Sequence, residues 1–206
     1  MTFRRVGLLG GAFNPPHLGH LKLAELAVRE LGLDEIRFVP SAQPPHKSLP
    51  PESPTVSRRL RLLQEALEGF AAPFAIETLE LDRPGPGYTV DTLETLIQRE
   101  PDPNWIWLIG SDQLAQFTSW KRWERVLELA SLAVAPRPDA PNHIPAALEA
   151  RQRPEWSGAP GELIWLSSTN LALSSSKLRA ELAQGGIIEG LPIQVRAAIG
   201  RENLYR

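Results

Sequence analysis

The spacing of apolar residues changes period along this chain, and the changes mark its elements. Val6 to Leu9 is a short continuous apolar run, as expected of a strand buried on both faces. Leu18, Leu21, Ala24, Val28 and Leu31 follow at helical spacing. Glu35 to Val39 predicts a second short strand, and Pro40 to Pro54 is too rich in proline to pack as helix. Ser57 to Phe70 reads as an amphipathic helix with Leu60, Leu63 and Leu67 inward and Arg58, Arg59 and Arg61 on the solvated face. Phe74 to Glu77 predicts the next strand, and Thr89 to Glu100 a helix with Leu93, Leu96 and Ile97 on its face. Asn104 to Ile109, strongly apolar between Pro103 and Gly110, predicts a central strand, followed by helical turns to Ala130. Leu132 to Ala135 is a fifth strand. Pro136 to Gly161 carries six prolines and predicts a surface segment with one short helix near Ala146 to Arg151. Leu163 to Leu166 is a sixth strand, and helices from Ser175 and Pro192 finish the chain.

Strands alternating with helices predict an α/β fold with a mainly parallel sheet, right-handed crossovers and helices on both faces. The expectation is a single doubly wound, Rossmann-like domain over 1–206, with a C-terminal helical segment at about 175–206. In such a sheet ligands bind past the carboxyl ends of the strands, at the point where the strand order reverses.

Composition narrows the partners. A length of 206 residues with 42% hydrophobic content supplies one sizeable core. A net charge of −2 gives no global attraction for nucleic acid, so a small phosphorylated ligand fits better than a polyanion. No run approaches the roughly 18 apolar residues of a membrane span, and no long apolar signal core opens the chain, so a cytoplasmic protein with no membrane partner is expected. The absence of cysteine excludes disulfides and thiol nucleophiles.

The chemistry is expected in Gly10-Gly11-Ala12-Phe13-Asn14-Pro15-Pro16-His17-Leu18-Gly19-His20, a turn from the first strand into the first helix. The first N–H groups of a helix lack intrahelical partners and carry the positive end of its dipole, which suits a phosphate. Gly10 and Gly11 permit close approach of a ligand to the backbone. His17 and His20, three apart, share one helix face and can reach the same anion. The same residues would also make a capped tight turn. Zinc is a further reading, but only His46 and His143 remain as additional histidines for a tetrahedral site. Neither G-x-G-x-x-G nor G-x-x-x-x-G-K-[ST] occurs.

This stretch resembles the G-G-[TS]-F-[DN]-P-x-H-x-G-H signature of the nucleotidyltransferases, which join a nucleotide to a phosphate ester. Pro44-Pro45-His46-Lys47, Tyr88-Thr89, Ile109 to Asp112, Thr118-Ser119-Trp120, Leu173 to Arg179 and the terminal Leu204-Tyr205-Arg206 extend the resemblance, in order and end to end, to the bacterial nicotinate-mononucleotide adenylyltransferases. Ala12 stands where threonine or serine is usual, Asn14 where aspartate is commonest, and Ser176 where the serine-rich motif has threonine. Ala12 lacks a hydroxyl for phosphate, leaving the backbone there, and Asn14 keeps a turn-forming side chain without the charge.

The resemblance implies adenylyl transfer from ATP to nicotinate mononucleotide, giving deamido-NAD and pyrophosphate. It implies His17 and His20 as catalytic, and Gly10, Gly11, Ala12, Phe13, Gly110, Asp112, Ser174, Ser176 and Arg179 with the histidines around ATP. Asp112 would meet the ribose and Arg179 the phosphates. His46, Lys47, Tyr88, Thr89, Trp120 and Lys121 are implied around nicotinate mononucleotide, with Trp120 a flat surface for the pyridine ring. In isolation, Ser174 and Asp112 read equally as helix caps, Trp120 as core, and His46 and Lys47 as solvated loop residues. Magnesium is expected mainly on the ATP oxygens, with no metal site built by the protein itself. A homo-oligomer stays open. The alternatives are a related adenylyltransferase or cytidylyltransferase with another acceptor, such as phosphopantetheine, and a nucleotide sensor without turnover. A tRNA-synthetase fragment is disfavoured by the short, acidic chain.

Overall fold

In a computed structural model, residues 3–45, 48–138, 142–168, 173–185 and 189–205 are described. Among them the strands β1 (Arg5–Gly11), β2 (Glu35–Pro40), β3 (Phe74–Ile76), β4 (Asn104–Gly110), β5 (Ser131–Ala135) and β6 (Leu163–Trp165) form one sheet in the order β3-β2-β1-β4-β5-β6. Every neighbouring pair is parallel. The order reverses between β1 and β4, so the switch crevice opens past Gly11 and Gly110.

Alternation along β4 shows why the central strand is apolar throughout. Trp105, Trp107 and Ile109 pack on one face with α4 (Thr89–Arg99) and α6 (Trp123–Leu129), while Ile106 and Leu108 pack on the other with α1 (Leu18–Leu31) and α2 (Val56–Ala66). The helical turns expected up to Ala130 resolve into a four-residue α5 (Ser111–Leu114), a 3-10 turn at Phe117–Ser119 and α6. A four-residue α3 (Leu79–Asp82) was not expected; one turn is too short to show a period. A third apolar cluster joins α2 to α7 (Ser175–Ala183), α8 (Ile193–Glu202) and Tyr205, folding the C-terminal segment back toward the start of α1.

The solvated-face reading of Arg59 is overturned. The buried stripe of α2 runs through Arg59, Leu62, Leu63 and Ala66 rather than starting at Leu60, and Arg59 is only 2% exposed. Its guanidinium donates to the carbonyls of Ala12 (2.6 Å), Ser41 (2.8 Å) and Ala42 (3.1 Å), which supplies the hydrogen bonds a buried cation requires.

Candidate active site

Residues 10–20 form the floor of a cleft of about 330 Å³ at the switch point. Gly10 packs against the Trp107 indole so closely that a Cβ would lie 2.6 Å from the ring. Phe13, at φ 46°, buries its ring against those of His20 (5.0 Å between centroids) and Phe38 (6.0 Å). His17 caps α1 in an extended conformation, and its ring stacks on that of His20 at 3.7 Å. Gly19 makes room for this, since a Cβ there would sit 2.9 Å from His17 Nδ1.

The His17 backbone N–H donates to His20 Nδ1 at 3.2 Å, so a neutral His20 carries its proton on Nε2. Burial, reinforced by the Arg137 guanidinium, lowers His17 to about 4. Burial, then His17, then Arg137, hold His20 well below the ordinary histidine value. Both rings are therefore neutral at pH 7, and each offers one N–H. The open helix start expected here is partly closed: the His17 N–H serves His20, and the Leu18 N–H donates to the Gly190 carbonyl at 2.9 Å.

The serine-rich start of α7 forms one wall. Ser174 caps the helix, accepting from the Lys177 N–H, and Ser175 donates to the Pro15 carbonyl at 3.2 Å. Arg179 donates to the Asn14 carbonyl at 2.7 Å and to the Ser176 hydroxyl at 3.3 Å. Asn14, buried, accepts from the Tyr205 hydroxyl at 2.8 Å and donates to Ser53 at 2.8 Å. Thus the two motifs at opposite ends of the chain share one hydrogen-bond network.

At the end of β4, Asp112 is exposed and pairs with Arg137 at 3.0 Å, while Gly110 lies behind them. A side chain on Gly110 would collide with Asp112 and lie 2.7 Å from Arg137 Nε. On the far side, Tyr88 and Thr89 open α4, and Trp120 packs on Phe117 at 5.1 Å. Lys121 lies 4.4 Å from the Tyr88 ring centroid and 2.9 Å from Asp91. Two backbone donors here are occupied: the Tyr88 N–H donates to Pro86 and that of Trp120 to Phe117, both at 3.0 Å. Those of Thr89 and Lys121 have no partner among the described residues.

The cleft therefore brings together Gly10, Gly11, Ala12, Phe13, both histidines, Asp112, Ser174, Ser176, Arg179, Tyr88, Thr89, Trp120 and Lys121. His46 and Lys47 lie outside the described residues. Three further residues escaped the sequence reading. Arg137 and Glu80 line the cleft, and Arg59 ties its floor to the loop after β2. Glu80 is buried and raised by that burial to about 7, against a hydrogen bond from Thr92 that pulls it down. Both Arg137 and Glu80 follow strand ends, Ala135 and Ile76, where the rule used for the other motifs would have found them.

The cytidylyltransferase-like family profile matches residues 8–181. A probable nicotinate-nucleotide adenylyltransferase of Bordetella petrii is 40% identical over 205 residues, covering 98% of this chain and 100% of its own. One from Hydrogenovibrio crunogenus is 37% identical over 212 residues, covering 100% and 99%. Among solved structures, the Plasmodium falciparum nicotinic acid mononucleotide adenylyltransferase complexed with NaAD superposes with a TM-score of 0.79 at 18% identity, covering 98% of this chain and 97% of that one, a likeness of fold. The full-length sequence matches are the stronger tie, and by them this chain belongs to the cytidylyltransferase-like family as one of its nicotinate-nucleotide adenylyltransferases.

Proposed function

We propose that this protein transfers the adenylyl group of ATP to nicotinate mononucleotide. A 5'-phosphate oxygen of the mononucleotide attacks the α-phosphorus, an O–P bond forms, the α–β bridge breaks, and deamido-NAD and pyrophosphate result. That oxygen is already ionised near pH 7, so no strong base is needed; positioning and charge neutralisation carry the rate. The observation that carries this reading is the stacked, neutral pair His17 and His20 on the cleft floor, with Arg137 and Arg179 on one side and the Tyr88 and Trp120 rings on the other.

In this scheme His20 donates its Nε2 hydrogen to the reacting phosphate, and His17 orients it by stacking and through its backbone N–H. The backbone of Gly10 to Phe13, with Ser174, Ser176 and Arg179, lines the triphosphate, and Asp112, beside Gly110, turns its oxygens to the ribose. Among the described residues Arg179 uses two of its five N–H donors, which leaves others to reach phosphate. The acceptor lies against Trp120 and Lys121, with Tyr88 and Thr89 at the ring carboxylate and, from the resemblance, His46 and Lys47 toward its phosphate. Of the two cleft carboxyl groups, Asp112 is paired with Arg137 and Glu80 is buried, so the residues fit a magnesium ion carried on substrate oxygens. Such an ion would supply neutralisation of the triphosphate charge.

Incubation with ATP and nicotinate mononucleotide should release pyrophosphate together with deamido-NAD. The acid should be preferred over nicotinamide mononucleotide by at least ~10-fold in kcat/KM, because an unpaired N–H facing the amide costs ~1–3 kcal/mol. Turnover with phosphopantetheine but not the mononucleotide, or no turnover with either, would overturn the reading.

A further inference from the structure

Adenylyl transfer as described makes no use of Glu80, yet this carboxyl group is set into the wall of the acceptor side. It is 4% exposed. Oε1 accepts the Thr92 hydroxyl at 2.9 Å, and Thr92 in turn receives Arg83 at 3.2 Å, so the arginine makes no direct ion pair with Glu80, although its charge, like hydrogen bonds from Thr92 and Ser41, favours the carboxylate. Its other oxygen occupies the space that Gly87 leaves by having no side chain; a Cβ there would collide with it and lie 2.8 Å from the Ser41 hydroxyl. Gly87 is two residues before Thr89, so an anion on the Thr89 N–H lies on the order of 10 Å from the Glu80 carboxyl, given ~3.8 Å between successive Cα atoms.

The surrounding charges compensate Glu80 only in part, and burial outweighs them. From α4, Asp91 is held by Lys121, whose ammonium also sits over Tyr88. Arg83 approaches from the segment after α3 through Thr92. Across the floor, burial keeps His17 and His20 neutral, and Arg137 is paired with Asp112. Among the described residues no cation touches Glu80 directly. An incoming ring carboxylate would thus meet a second carboxyl group in a partly desolvated site, where two like charges cannot both ionise cheaply.

Resting on the adenylyltransferase reading, we propose that Glu80 determines acceptor specificity by charge: it holds a proton while an anionic ring carboxylate occupies the Thr89 N–H, and is free to release it when the neutral amide is bound. The proton is at hand because burial raises the group to about 7. The acid substrate therefore binds with more proton uptake than the amide. Selectivity for acid over amide falls as pH rises through 7, by about 3- to 10-fold up to pH 8.5, the range expected for two charges at this separation. Taking the ratio removes the titration of the acceptor phosphate, of ATP and of the histidines, which both substrates share.

Competition kinetics with the two mononucleotides between pH 6 and 8.5 tests this in the wild type and in Glu80→Gln, which keeps size and hydrogen bonding. The expected result is a falling acid-to-amide ratio in the wild type and a flat one in Glu80→Gln. Calorimetry at pH 7.5 in two buffers of different ionisation enthalpy should show more proton uptake with the acid than with the amide. A flat ratio in the wild type overturns the proposal even if the variant fails to fold, as does an unchanged slope in a folded variant. Absence of turnover with both mononucleotides instead removes the adenylyltransferase reading on which it rests.

Discussion

Protonation of the cleft should be visible in folding stability, with two kinds of group acting in opposite directions. His17, lowered from 6.5 to about 4, is neutral in the folded protein while its unfolded counterpart binds a proton below 6.5. Its stabilising contribution is complete above pH 6.5 and is lost as pH falls through 4, so stability rises with pH by ~1.4 kcal/mol per unit across that window. His20, also lowered, adds a second proton of the same sign. Glu80, raised from 4.5 to about 7, is the reverse: its contribution is complete below 4.5 and is lost as pH climbs to 7. Between pH 4.5 and 6.5 the unfolded chain thus binds two protons more at the histidines and one fewer at Glu80, a net slope of ~1.4 kcal/mol per unit. Glu100, lowered to about 2 chiefly by its hydrogen bond from Arg37, titrates below this window. Glu80→Gln should steepen the slope by about one proton, and His17→Asn should flatten it by about one. Urea unfolding at pH 5.0, 5.75 and 6.5, followed by tryptophan fluorescence, measures all three. A slope unchanged in Glu80→Gln would mean that the buried carboxyl is ionised in the folded protein, and would refute the reasoning.

His20→Ala should lower kcat more than ~10-fold in a folded protein, the scale of losing one donor to transition-state charge, and unchanged kcat would sink the role given to it. Arg59→Met should lower unfolding free energy by about 3 kcal/mol, because three backbone carbonyls lose a charged donor; a loss below ~1 kcal/mol in urea would show that the strut is dispensable. Trp120→Ala should weaken both mononucleotides through lost stacking while preserving their ratio, since Thr89 and Lys121 offer backbone N–H groups that truncation does not remove; competition kinetics reads this directly. Excess EDTA should abolish pyrophosphate release and added magnesium should restore it, whereas full activity in chelator would contradict charge neutralisation of the triphosphate by a metal.

The elements were legible because apolar period is a local signal. Val6 to Leu9 and Asn104 to Ile109 lie inside β1 and β4, whereas the reversal of strand order between these two is a tertiary choice that strand–helix alternation leaves open. Local signals also err in phase. The stripe of α2 was read correctly at Leu63 and Leu67 but started one residue late, on Leu60, and that single step moved Arg59 from the buried face to the solvated one. Arginine on an apolar stripe reads as an error in the pattern unless the carbonyls that receive it are known, and these come from the loops after β1 and β2.

Which donors remain free at the site was hidden for a deeper reason. A helix start carries unpaired N–H groups as a matter of backbone geometry, so sequence alone predicts phosphate cradles at His17 and Ser174 and donors for a carboxylate at Tyr88 and Thr89. Whether a cradle stays open depends on what else arrives. At the start of α4 the nearby Pro86 carbonyl takes the Tyr88 N–H and leaves that of Thr89 open among the described residues, and at Leu18 the carbonyl of Gly190, from the C-terminal segment, takes the donor. The Asn14 side chain, which a local reading gives only a turn, receives Tyr205 from 191 residues away, and its carbonyl receives Arg179 from 165 away. These contacts convert an expected surface of backbone donors into a site whose donors are mainly side chains: a neutral imidazole on the floor and guanidinium groups on the wall. In the proposed scheme the charge complementary to a triphosphate would come from Arg137 and Arg179, while the neutral His20 would supply direction.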